Sequence, residues 1–187
     1  MTEDEVIARV REMAADPRCA TSAGGWPGGH AAIAESYGPA PDSVVEDAIR
    51  RFGFPIPTLL SRLWREVANG GIGPGYGLYG LEGGMTDDAL DLPLPELFLE
   101  WRDSEEWIEL VGAESAPRVF PICDWGCCSF SAVDCSTPEG NLLLFADGVE
   151  RIDQGVTFAQ WIEDWANGIE VGDRNYGRVK KRAQWLP

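Results

Sequence analysis

Cysteines, a lone histidine and a run of acids are the residues of this 187-residue chain whose types could do chemistry. Four of the five cysteines lie close together, as Cys123-x3-Cys127-Cys128-x6-Cys135, with Cys19 far upstream. Thiolates at that density could hold zinc or exchange disulfides. A tetrahedral zinc site, however, draws on separated pairs such as C-x2-C. Adjacent cysteines rarely both point at one ion, and along a strand from Phe130 to Asp134 neighbouring side chains alternate across the sheet. The spacing therefore predicts structural thiols and no bound metal. His30 is the only histidine and stands between Gly-Gly and Ala-Ala. Any Ser-His or Cys-His machinery would have to use it. With no partner beside it, it reads as a solvated loop residue. Asp87, Asp88 and Asp91 could imitate a hard-cation site, but they lack the D-x-D-x-D-G-x5-E spacing of calcium loops. A solvated acidic face is the expectation. No catalytic residue and no cofactor are expected.

The stretch Gly70-Gly71-Ile72-Gly73-Pro74-Gly75-Tyr76-Gly77 raises a different chemistry, the cradling of phosphate. A Walker loop needs Lys-Ser or Lys-Thr after its last glycine, and neither is here. A dinucleotide loop needs G-x-G-x-x-G after a strand and before a helix. Here the order is helix first and the spacing is Gly71-x-Gly73-x-Gly75-x-Gly77. The glycines read instead as a helix stop and a close approach of backbones. One of Gly70 and Gly71 is expected at positive φ.

The charge is lopsided, 15 basic residues against 31 acidic, for a net −16. Such a field repels nucleic acid and anionic membrane and attracts basic proteins. The opening MTEDEVIARV has neither a basic nor an apolar signal region. No apolar run is long enough to span a membrane. The odd number of cysteines then reads as reduced thiols in the cytoplasm. The most acidic stretch is 82–114, with eleven acids and one base, Arg102. Within it Glu82, Asp87, Asp88, Asp91, Glu105 and Glu106 avoid the apolar Leu94, Leu97, Phe98, Trp101 stripe. They are the candidate contact face for a protein partner.

Helices are expected at both ends of the chain, with strands between. Thr2 with Glu5 and Ser43 with Glu46 match the capping box, and Thr157 and Gln160 begin a final helix. Gly53 and Asn167-Gly168 offer stops. Pro57 suits the first turn of a helix carrying Leu59, Leu60, Leu63, Trp64 and Val67. Asp103 or Ser104 would cap a helix through Leu110. Strands are expected over 76–81, 118–123, 130–134 and 142–145, with a short one near 149–152. The result is an α+β fold, a mostly antiparallel sheet with flanking helices.

The helix "P-x-x-L-x-x-L-W-x-x-x-A-N-G-G" followed by "G-P-G-Y-G-L-Y-G-L" resembles the SUKH superfamily, of the Smi/Knr type. The matching residues include Pro57, Leu60, Leu63, Trp64, Asn69, Gly70, Gly71, Pro74, Gly75, Tyr76 and Leu81. "FPICDWGCCSFSAVD", Phe120 to Asp134, is similar to the family's second block. The likeness covers 43–168. It divides the chain into an N-terminal extension at 1–41, a SUKH-like domain at 42–169 and a basic tail at 170–187. The resemblance implies a strongly bent sheet and a binding module without catalysis. It implies an immunity protein that neutralises a polymorphic toxin, often a nuclease. Nuclease toxins tend to be basic, which a −16 partner complements. A stand-alone regulatory scaffold is the first alternative, and a thiol or metal enzyme using Cys123 to Cys135 is the second. Neither oligomeric state nor partner identity follows from these residues.

Overall fold

Local hydrogen bonds set where the helices begin in this computed structural model, which describes residues 1–15, 37–87, 89–126, 128–146, 150–169 and 171. Cys19, Trp26, His30, Asp88, Cys127, Trp185 and nearly all of the basic tail lie outside the described residues. Helix α1 (Glu3–Ala15) opens on the expected capping box. The Thr2 amide donates to Glu5 Oε2 at 2.7 Å, and the Glu5 amide donates to Thr2 Oγ1 at 3.3 Å. Its apolar face, Val6, Ile7, Val10 and Met13, is buried in the main core. Arg62, on the next helix but one, reaches Asp4 at 2.8 Å and Glu66 at 2.7 Å.

Helix α2 (Asp42–Phe52) starts before the expected Ser43 cap. Pro41 occupies the cap position, and its carbonyl accepts from Val44 and Val45. Ser43 is thus inside the first turn and caps nothing. Gly53, in the left-handed region, ends the helix as expected. Helix α3 (Thr58–Glu66) follows Pro57, which sits at the cap and not in the first turn. Helix α4 (Leu94–Arg102) buries Leu94, Leu97 and Phe98. Helix α5 (Glu105–Val111) is capped by Ser104, whose Oγ accepts from the Trp107 amide at 3.1 Å. Helix α6 (Phe158–Ala166) is capped by Thr157, whose Oγ1 accepts from the Gln160 amide at 3.2 Å.

The fold is α+β: among the described residues, six α-helices flank one antiparallel four-stranded sheet. The strands are β1 (Val119–Gly126), β2 (Ser129–Asp134), β3 (Asn141–Ala146) and β4 (Glu150–Thr157), in that order across the sheet. Two strands are longer than their sequence signals. β1 runs on through Asp124, Trp125 and Gly126, with register shifts between Pro121 and Cys123 and between Asp124 and Gly126. β4 is eight residues and feeds straight into the Thr157 cap. The expected strand over 76–81 does not form, and Leu78 alone makes a bridge, to Cys123.

Alternation along the strands gives the sheet two apolar faces. Phe120, Ile122, Val133, Leu142 and Leu144 enter the main core with α1, α2, α3, α4 and α6. Val119, Ala132, Leu143 and Phe145 point the other way, onto a smaller cluster closed by Trp107 and Val111 of α5. No helix among the described residues is long and apolar enough to cross a membrane.

Candidate functional site

The glycine stretch behind α3 is a structural corner built around Asn69. This side chain is 3% exposed. Its Oδ1 accepts from the Leu81 amide at 2.8 Å, and its Nδ2 donates to the Glu82 carbonyl at 3.1 Å. Its own carbonyl accepts from the Met85 amide at 3.0 Å. Gly70 and Gly71 both sit at positive φ, +85° and +81°, and carry the chain out of the helix. The chain then folds back on itself, with the Gly71 amide donating to Leu78 and the Leu78 amide donating to Ile72. Beyond the turn the Tyr76 and Tyr79 amides donate to the Asp124 and Ile122 carbonyls of β1. The loop therefore lies along the β1 edge of the sheet. Trp64, fully buried, fixes it from below by donating to the Tyr79 carbonyl at 3.1 Å.

Phosphate binding needs free backbone N–H groups. Here the amides of Gly71, Tyr76, Gly77, Leu78, Tyr79 and Gly80 all donate to carbonyls of the fold. Trp64, Asn69, Gly70, Gly71, Pro74, Gly75 and Tyr76 come together in this corner, and their contacts are those of a scaffold.

Four of the six candidate acids, Glu82, Asp91, Glu105 and Glu106, are exposed. Asp87 is buried, contrary to the expectation that it is exposed. Its two oxygens accept from the Ala89 and Leu90 amides at 3.1 and 2.7 Å, so it serves as the pivot of its own turn. Asp88 lies outside the described residues. Glu82 and Asp91 are exposed in the loop before α4, and Asp91 accepts from the Thr86 hydroxyl at 2.7 Å. Glu105 and Glu106 are exposed in the first turn of α5. In sequence the nine residues of α4 separate the two groups.

The α5 acids border a cleft of about 810 Å³ on the outward sheet face. Its walls are aromatic. Trp101 meets Phe130 edge-on with ring centroids 5.5 Å apart, and Trp107 lies 5.3 Å from Trp101. Phe130 stacks on Phe145 at 4.8 Å. Leu110 completes the apolar lining, while Ser104, Glu106, Glu109 and Arg151 line the polar part. Arg151 is held in place, donating from Nη1 to the Val111 carbonyl at 2.5 Å and facing Asp134 Oδ2 at 4.0 Å. Trp107 is 3% exposed, and its indole N–H has no acceptor among the described residues.

The described cysteines do not converge. Cys123 and Cys135 are buried and Cys128 is exposed, at φ +60° in the β1–β2 turn. Among the described residues no three His, Cys, Asp or Glu side chains come together as metal ligands would. Burial raises the Cys123 thiol far above its ordinary range, against hydrogen bonding with Ser131. Burial, then the Asp134 charge, pushes Cys135 up to about 12. Both are protonated and weakly nucleophilic at neutral pH. Brief iodoacetamide treatment of native protein at pH 7.5 should alkylate Cys128 and spare Cys123 and Cys135, as read by peptide mass spectrometry. Rapid labelling of either buried thiol would contradict this account.

No family model, curated protein or solved structure matches this chain. A functional reading therefore rests on the residues and their geometry. Sequence patterning placed Trp101 in a helical core stripe and Phe130 in a strand, and did not unite them. The signal for doing so was the alternation of β2 and β3, which sends Phe130 and Phe145 to the face opposite Val133 and Leu144.

Proposed function

We propose that this protein is a SUKH-type binding module that acts in the cytoplasm as an immunity protein, capturing a basic protein toxin on the face built by α5. The observation that carries this reading is the exposed acidic turn of α5 beside an aromatic cleft. Aromatic anchors in a partly desolvated pocket supply most of the binding energy in protein interfaces. Charges at the rim steer the encounter and select the partner's sign. The net charge of −16 favours a basic partner and disfavours nucleic acid. A toxin that cleaves nucleic acid carries the required basic surface, because it must itself bind phosphate. The buried Asn69 corner supports the SUKH likeness, since the residues that carry the resemblance hold one another in place. The thiol-enzyme alternative is opposed by the burial and raised pKa of Cys123 and Cys135.

Co-expression with the product of the adjacent gene tests the reading. A neighbour that arrests growth when expressed alone should lose that effect, and the two chains should co-elute on gel filtration. A neighbour that stays toxic and elutes separately would overturn the immunity role.

A further inference from the structure

The cleft beside α5 combines two features that point to one kind of ligand. Its apolar walls are the faces and edges of Trp101, Trp107 and Phe130, of which Trp101 and Phe130 are only partly buried. Its polar lining includes two exposed carboxylates, Glu106 and Glu109, one turn apart on α5. Some acids elsewhere are paired with bases, as Glu66 with Arg62, Glu96 with Arg51 and Asp42 with Arg65, although the 31 acids of the chain outnumber its 15 bases. Among the described residues Glu106 and Glu109 have no such cation. Arg151 makes no ion pair with either; it donates to the Val111 carbonyl and faces Asp134 at 4.0 Å. The lining thus carries two carboxylates and one guanidinium, for a net −1.

We propose that this cleft receives an arginine side chain of the protein partner, with the guanidinium stacked against Trp101 and Phe130 and paired to Glu106 and Glu109. The inference rests on the reading of the chain as a partner-binding module and names what that module grips. A cation over an aromatic face is attracted by the ring quadrupole, more strongly where water is excluded. Arginine fits better than lysine. Its planar head stacks on rings while its five donors reach two carboxylates, whereas an ammonium is a compact, strongly hydrated point charge. The volume of about 810 Å³ exceeds one side chain, so residues flanking the arginine enter with it.

The test is a titration of the ¹⁵N-labelled full-length protein with a blocked peptide, Gly-Arg-Gly-Arg-Gly. It is followed through the indole N–H resonances of Trp101 and Trp107. A second peptide carries citrulline, the neutral isostere, at both arginine positions. The arginine peptide should move both resonances saturably, and the citrulline peptide should bind about threefold or more weakly. Glu106→Gln with Glu109→Gln, both at exposed positions, should weaken the arginine peptide by about the same factor and leave the spectrum folded. Trp101→Ala should abolish the shift at Trp107. Equal binding of the two peptides, preference for an acidic peptide, or shifts only at other indoles would overturn the proposal. These measurements need no toxin. Their failure leaves the immunity reading standing, and that reading fails only in co-expression.

Discussion

Gly77→Ala should cost about 4 kcal/mol and lower the melting temperature by roughly 8 to 16 °C, at about 2 to 4 °C per kcal/mol for a chain of this size. Gly77 sits at φ +100°, outside even the left-handed helical region that other residues tolerate. A Cβ built there lies 2.6 Å from both the carbonyl carbon and oxygen of Gly71. Those atoms are backbone, held in the fold-back between Gly71 and Leu78, and cannot rotate aside. Relief must come from parting the loop from itself and from the edge of β1. Gly83 is the control. It too has positive φ, +75°, but nothing lies within 4 Å of an added Cβ. Gly83→Ala should therefore cost only about 1 kcal/mol, the conformational strain alone. Equal losses at the two positions would show that close approach plays no part.

Asn69→Ala should cost about 3 kcal/mol, for a different reason. Alanine leaves the Leu81 amide without the acceptor it meets at 2.8 Å, and the Glu82 carbonyl without its donor at 3.1 Å. The Leu81 bond is buried and the Glu82 bond partly so, and an orphaned buried group costs about 1 to 3 kcal/mol, which falls chiefly on the Leu81 amide. Asn69→Asp discriminates between packing and hydrogen bonding. It keeps the shape and the acceptor but sets a carboxylate against the Glu82 carbonyl. Urea unfolding should find Asn69→Asp at least as unstable as Asn69→Ala at neutral pH. Recovery of wild-type stability by aspartate would mean that shape alone matters at this corner.

What was legible in the sequence is what local bonds decide. The Thr2–Glu5 box, the Thr157 and Ser104 caps and the Gly53 stop all close within a few residues, and each stands where its pattern puts it. Ser43–Glu46 carried the same pattern and failed because Pro41, two residues earlier, already begins the turn. The stretch 76–81 alternates like a strand, yet the turn from Pro74 to Gly77 and the fold-back to Ile72 leave it one bridge to Cys123. Asp87 looked like its exposed neighbours. Its burial is set by two amides of its own turn and by packing, which composition does not encode. The cleft was the least legible part. Trp101 comes from α4, Glu106 and Glu109 from α5, Phe130 from β2 and Arg151 from β4, and only the antiparallel register brings them together.

The claim that α5 carries the partner face is tested most directly by association kinetics with a toxin captured in co-expression. Two variants are compared with the wild type at low salt and at 0.15 M. One combines Glu105→Gln, Glu106→Gln and Glu109→Gln; the other combines Glu82→Gln and Asp91→Asn, at the far end of α4. The α5 variant should associate about tenfold more slowly at low salt, because steering depends on charge at the rim. The gap should narrow as salt screens it, and the loop variant should stay near wild type. An unchanged association rate for the α5 variant, or a larger loss for the loop variant, would contradict the placement of the partner on α5.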